Sequence, residues 1–139
     1  MRCLALLGVL VLWAAPAWAE QFGSFTLHVV NQSAAPLVFT VNQGGETTVP
    51  PGGTGRFGQG FDYDQLAASP DYLFQVQVSG QGDAPSCSVR VRVEVSAWGD
   101  DYLFSCSPRR ELVGPCLLTC DYDNVGPNST ARLVYKPGQ

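Results

Sequence analysis

Hydrophobic and polar residues alternate along most of the chain after its N-terminal region, which is the pattern of β-strands with one buried face. The clearest example is residues 88–95, SVRVRVEV, where every second residue is a valine and the others are polar or charged. A strand with one apolar and one polar face is typical of an antiparallel sheet. Similar alternation predicts strands at 24–30, 37–41, 46–49, 72–78, 101–106 and 131–135, with short strands at 55–57 and within 112–122.

Turn-forming residues separate these strands at intervals of about ten residues. Glycine and proline are concentrated at 43–45, 50–53 and 80–85, and no amphipathic segment is long enough for a helix of several turns. The pattern predicts an all-β protein, an antiparallel β-sandwich or small barrel of about eight strands. Residues 25–53 resemble thaumatin-like and aegerolysin-like β-sandwiches in their order of strands and turns, a resemblance that implies this fold and no functional residue.

The N-terminal region has the features of a secretory signal peptide. Arg2 precedes an apolar segment from Leu4 to Trp13, and small residues at Ala17 and Ala19 precede Glu20. We therefore predict cleavage after Ala19, which leaves one domain over residues 20–139 in the periplasm or outside the cell. The apolar segment is shorter than the roughly 20 residues that span a bilayer, so we expect no membrane span.

Four cysteines follow the predicted cleavage site, and an even number in an exported chain predicts two disulfides. Four cysteines allow three pairings. We favour Cys87–Cys106 across a hairpin together with Cys116–Cys120, which requires the chain between the last two to curl. If that segment is an extended strand, its four residues span about 13 Å and the second bond cannot form.

The charge of the chain is acidic, with twelve Asp and Glu residues against eight Lys and Arg, and a formal net charge of −4. A nucleic-acid partner needs a basic face, so we expect none. An anionic membrane surface is disfavoured for the same reason.

We find no motif for catalysis and expect that the protein is not an enzyme. His28 is the single histidine, and the sequence contains neither a Gly-x-Ser-x-Gly elbow nor a His-Glu-x-x-His motif. A small hydrolase with paired carboxylates remains the third hypothesis, with candidates at Asp62, Asp64, Asp121 and Asp123.

Acidic residues at the ends of strands are candidate calcium ligands, because calcium prefers carboxylate and carbonyl oxygens. The alternative is ordinary turn formation by aspartate. No other cofactor is expected, and the metal candidates are Asp100, Asp101, Asp121 and Asp123. Tyrosines beside aspartates can stack on and hydrogen-bond to sugars, and the candidates are Tyr63, Tyr102 and Tyr122.

Compartment, size and lack of catalytic motifs together favour a binding function. We expect an exported β-sandwich that binds another protein, as an inhibitor or immunity-type factor. The alternatives are a carbohydrate- or calcium-binding module, and a small secreted hydrolase.

Overall fold

The structure is a computed structural model that describes residues 23–62, 64–65, 71–98, 101–121 and 127–138. The side chains of residues 97, 98, 101 and 102 are outside this description. The described part contains ten strands, β1 Gly23–Asn31, β2 Leu37–Val41, β3 Thr47–Val49, β4 Thr54–Phe61, β5 Asp71–Gly80, β6 Cys87–Trp98, β7 Asp101–Ser107, β8 Arg110–Val113, β9 Cys116–Cys120 and β10 Asn128–Tyr135.

The predicted all-β fold is confirmed, with ten strands rather than about eight. The segment at 112–122 was predicted as a single strand, but it belongs to a hairpin of β8 and β9. Gly114 forms the turn with a φ of +54°, a conformation that favours glycine. Alternation in β8 was hard to recognise because this strand lies at a sheet edge and exposes Leu112.

The strands form two five-stranded sheets packed as a sandwich. Sheet A has the order β4-β1-β10-β9-β8, and sheet B has the order β3-β2-β5-β6-β7. Neighbouring strands are antiparallel except β1 and β10, the first and last strands described, which run parallel at the centre of sheet A. Among the described residues, no helix has the length and apolar character needed to cross a bilayer.

The core lies between the sheets and is made by the inward-facing residues of the alternating pattern. The valines of β6 behave as predicted, since Val89, Val91 and Val93 are buried. Aromatic rings fill one end of the core, where the Phe25 and Phe74 ring centroids are 4.6 Å apart. Each fully buried side chain of this size contributes about 1.5–3 kcal/mol to folding.

Asn31, at the end of β1, is a fully buried polar residue whose side chain makes five hydrogen bonds. Its Nδ2 donates to the carbonyls of Ala35, Val49 and Pro50 at 2.8, 3.1 and 3.2 Å. Its Oδ1 accepts from the backbone N–H and the hydroxyl of Ser33 at 3.0 and 2.6 Å. The side chain thus ties the β1–β2 turn to the end of β3.

The disulfide pairing favoured from the sequence is wrong. Cys87 is bonded to Cys116 and Cys106 to Cys120, with Cα–Cα distances of 6.2 and 5.6 Å. Cys106 lies opposite Val93 in the β6–β7 hairpin. Cys87 is six residues before Val93 along β6, which places it about 20 Å from Cys106. Cys116 and Cys120 are the two ends of β9, an extended strand that keeps them too far apart to bond.

Both disulfides instead connect the two sheets through one strand. β9 lies in sheet A, while the partner cysteines lie in β6 and β7 of sheet B. The two bonds therefore hold one half of the sandwich closed. Two disulfides are compatible with an extracellular or periplasmic location, where such bonds persist.

Candidate functional site

Most of the residues predicted to bind calcium or sugar either lie outside the described residues or have side chains that are not described. Asp100, Asp123, Tyr63 and Tyr122 lie outside, and for Asp101 and Tyr102 only the backbone, at the start of β7, is described. Asp121 follows β9 and is exposed. Within the described ranges, no group of three or more His, Cys, Asp and Glu residues could hold a metal ion. The calcium and sugar hypotheses stay predictions.

The outer face of sheet A, which points away from sheet B, carries a different arrangement. In β1 and β10, buried residues alternate with partly or fully exposed ones. These two strands run in register, with His28 beside Arg132 and Val30 beside Val134. Because neighbouring strands lie about 4.8 Å apart, outward side chains form rows that cross the strands.

One row is rich in positive charge, and we name it the cationic row. Pairing of β4 with β1 places Arg56 beside His28. On the other side, Arg132 of β10 pairs with Thr119 of β9, which pairs with Arg110 of β8. The row crosses all five strands of sheet A, so its four strand spacings cover about 19 Å.

A second row lies two residues further along the strands, about 7 Å from the first, and we name it the apolar row. It consists of Val30, Val134, Leu117 and Leu112, which the same strand pairings align. The two valines and Leu117 are half-buried, whereas Leu112 is 75% exposed. An exposed leucine that continues an apolar row indicates an interaction surface more strongly than an isolated exposed side chain does.

Two shallow concavities lie side by side on this face. One has a volume of about 690 Å³ and is lined by Leu112, Leu117 and Lys136, among others. The other has a volume of about 570 Å³ and is lined by His28 and Arg132, among others. Val134 lines both, so the concavities adjoin at the apolar row. The face offers a partner a shaped surface rather than a flat one.

Positive charge is concentrated on this face although the chain is acidic. Four of the eight Lys and Arg residues, Arg56, Arg110, Arg132 and Lys136, lie in the cationic row or line the concavities. Of the described acidic residues, Asp121 alone lines either of these two concavities. No ion pair joins Arg56, Arg110 or Arg132 to any residue in the described ranges.

The outer face of sheet B provides a useful contrast, because an arginine there is neutralised within the fold. Arg92 bonds Asp71 at 2.8 Å and Glu94 at 3.0 Å. The hydrogen bond to Asp71, with the negative charges of both carboxylates, raises the pKa of Arg92 above its usual value. The guanidinium groups of the cationic row form no ion pair of this kind within the described residues.

The cationic row was not found from the sequence. Arg56 and Arg110 are 54 positions apart along the chain, and Arg110 and Arg132 are 22 apart, so only strand pairing brings them together. The net negative charge concealed a local basic surface. The signal that the sequence offered was the outward position of each arginine in an alternating segment, but this does not reveal which strands are neighbours.

Comparison with known proteins finds no family model and no curated sequence that matches the chain.

Proposed function

We propose that this chain is an exported binding module that acts on another protein through the outer face of sheet A, without catalysis. Export is supported by the signal-like residues 1–19 and by the two disulfides that join the sheets. A periplasmic or secreted inhibitor or immunity-type factor is the form of this function that we favour.

The observation that carries the proposal is the alignment of several arginines beside exposed apolar surface on one face; these arginines form no ion pair within the described residues. Isolated charged residues on a protein surface contribute little, but aligned charges beside apolar side chains give a partner both orientation and buried area. Arg132 lies at the centre of this face, and Leu112 lies at its β8 edge. No comparable combination supports catalysis among the described residues.

The test is capture of a partner from the exported fraction of the source cells with tagged protein. Arg132→Glu reverses a central charge on sheet A, and Arg90→Glu is the matched control on the outer face of sheet B. Both arginines are exposed, point outward from a paired strand and make no ion pair within the described residues.

We expect wild type and the control variant to retain one stoichiometric partner that Arg132→Glu loses. Circular dichroism and thermal unfolding should show that both variants fold. Equal capture by Arg132→Glu, or no stoichiometric partner for wild type, would contradict the proposal.

A further inference from the structure

We infer that the partner binds this face with an acidic amphipathic helix that crosses the strands of sheet A; this inference rests on the proposed function. The first reason is charge. Arg56, Arg132 and Arg110 point outward in one row, and carboxylates are the groups that guanidinium groups bind best in proteins, often with two parallel hydrogen bonds. Lys136 adds a fourth positive charge beside the apolar row.

The second reason is that the two rows differ in character and run side by side. A ligand carrying negative charge alone would satisfy the cationic row and leave Leu112 and Leu117 against water. The ligand should therefore have an acidic stripe next to an apolar stripe, about 7 Å apart. A helix with its side chains is about 10–12 Å wide, so a single helix can present two stripes with this separation.

The third reason is the repeat distance along the rows, which distinguishes a helix from an extended segment. Side chains in a row recur every 4.8 Å or so, the strand spacing. A helix returns to the same face every 5.4 Å, and over four spacings it drifts by about 2.4 Å. An extended chain returns to the same side about every 6.7 Å and drifts by about 7.6 Å, more than a whole residue.

The length of the rows sets the size of the helix. About 19 Å corresponds to about 13 residues at 1.5 Å per residue. The helix would lie along the two rows, over the two concavities that share Val134. Its apolar stripe would contact Val134, Leu117 and Leu112, and its acidic stripe would contact the arginines. This arrangement resembles the general mode in which an amphipathic helix binds an apolar groove.

The test is an unbiased selection from a displayed library of random 16-residue peptides, with the oxidised protein purified from the exported fraction as the target. We expect enriched peptides to carry a net negative charge, with Asp or Glu and apolar residues recurring at intervals of three and four. The strongest peptides, synthesised and measured by calorimetry, should bind Arg132→Glu at least about tenfold more weakly. Their affinity for Arg90→Glu should equal that for wild type, and binding to wild type should weaken as salt rises.

Several results would overturn the inference. These are no enrichment, enriched peptides that are basic or neutral, a period of two instead of three to four, or equal binding to Arg132→Glu. Evidence that something other than a helix binds this face would also overturn the inference. Self-association of wild type but not of Arg132→Glu in analytical ultracentrifugation would show that a second copy binds there. Sedimentation of wild type but not of Arg132→Glu with phosphatidylglycerol vesicles would show that a lipid surface binds there.

This experiment also separates failure of the inference from failure of the proposed function. If Arg132→Glu abolishes capture of the natural partner but the selected peptides are not acidic helices, the function stands and the partner chemistry is wrong. If Arg132→Glu captures the natural partner as well as wild type does, the function and the inference fail together.

Discussion

Asn31 should be among the most sensitive positions of this protein although it is polar. Asn31→Ala removes five side-chain hydrogen bonds at a fully buried position. Each such bond contributes about 0.5–1.5 kcal/mol net. Two of the three carbonyls have a donor in the variant. The Ser33 hydroxyl no longer has Asn31 as its acceptor and can donate its one proton to the Ala35 carbonyl, 2.8 Å away, and the Gly53 N–H donates to Pro50. We therefore expect a loss of about 3 kcal/mol, near the lower end of the summed range.

The measurement is urea unfolding of the oxidised protein, followed by fluorescence or circular dichroism. With an m-value of about 1.5 kcal/mol per molar urea, the midpoint should fall by about 2 M without a change in m. Ser129→Ala is the matched control. Ser129 is the other buried polar residue of sheet A and is 2% exposed, but its hydroxyl has no hydrogen-bond partner among the described residues. Its removal should be neutral or slightly stabilising.

Comparing the two variants tests whether the hydrogen bonds of Asn31, and not burial alone, stabilise the fold. A loss below about 1 kcal/mol for Asn31→Ala would show that the buried hydrogen bonds do not hold the turn as argued. A loss for Ser129→Ala equal to that for Asn31→Ala would show that any truncation inside sheet A is costly, whatever its hydrogen bonding.

Three further predictions concern the disulfides, the buried tyrosine and calcium. Replacing both Cys87 and Cys116 with alanine should cost about 3–4 kcal/mol, because the bond closes a loop with a sequence separation of 29; urea unfolding would measure it, and no loss would contradict the pairing. Burial raises the pKa of Tyr135, so its contribution to stability is complete below the unfolded pKa of about 10 and is lost as pH rises through the folded pKa. In Tyr135→Phe, which lacks the hydrogen bond to the Pro85 carbonyl, the free energy of unfolding should therefore fall less steeply between pH 9 and 11 than in wild type, and parallel pH profiles of the two proteins would refute this. If Asp121 and Asp123 ligate calcium, millimolar calcium should raise the melting temperature and a chelator should lower it, whereas an unchanged melting temperature would reject the calcium hypothesis.

The sequence by itself determined the fold class, because burial in a strand follows a local period of two. The buried valines of β6 and the exposed arginines between them were assigned correctly from alternation alone. The presence of two disulfides was also predicted correctly, from the even number of cysteines together with the expectation of export, without knowledge of the fold. The sequence did not predict β8 as a separate strand, because its exposed Leu112 breaks the expected contrast between buried apolar and exposed polar residues.

Only the tertiary structure decided how the strands are paired, and this fixed both the disulfides and the candidate site. Cys87 reaches Cys116 because β6 and β9 face each other from different sheets, a relation that no local pattern encodes. His28 lies beside Arg132 because the first and last strands pair in parallel across more than one hundred residues of sequence. Alternation states which side chains point outward, but the order and register of strands depend on how the whole core packs. The cationic row therefore exists only in the folded chain.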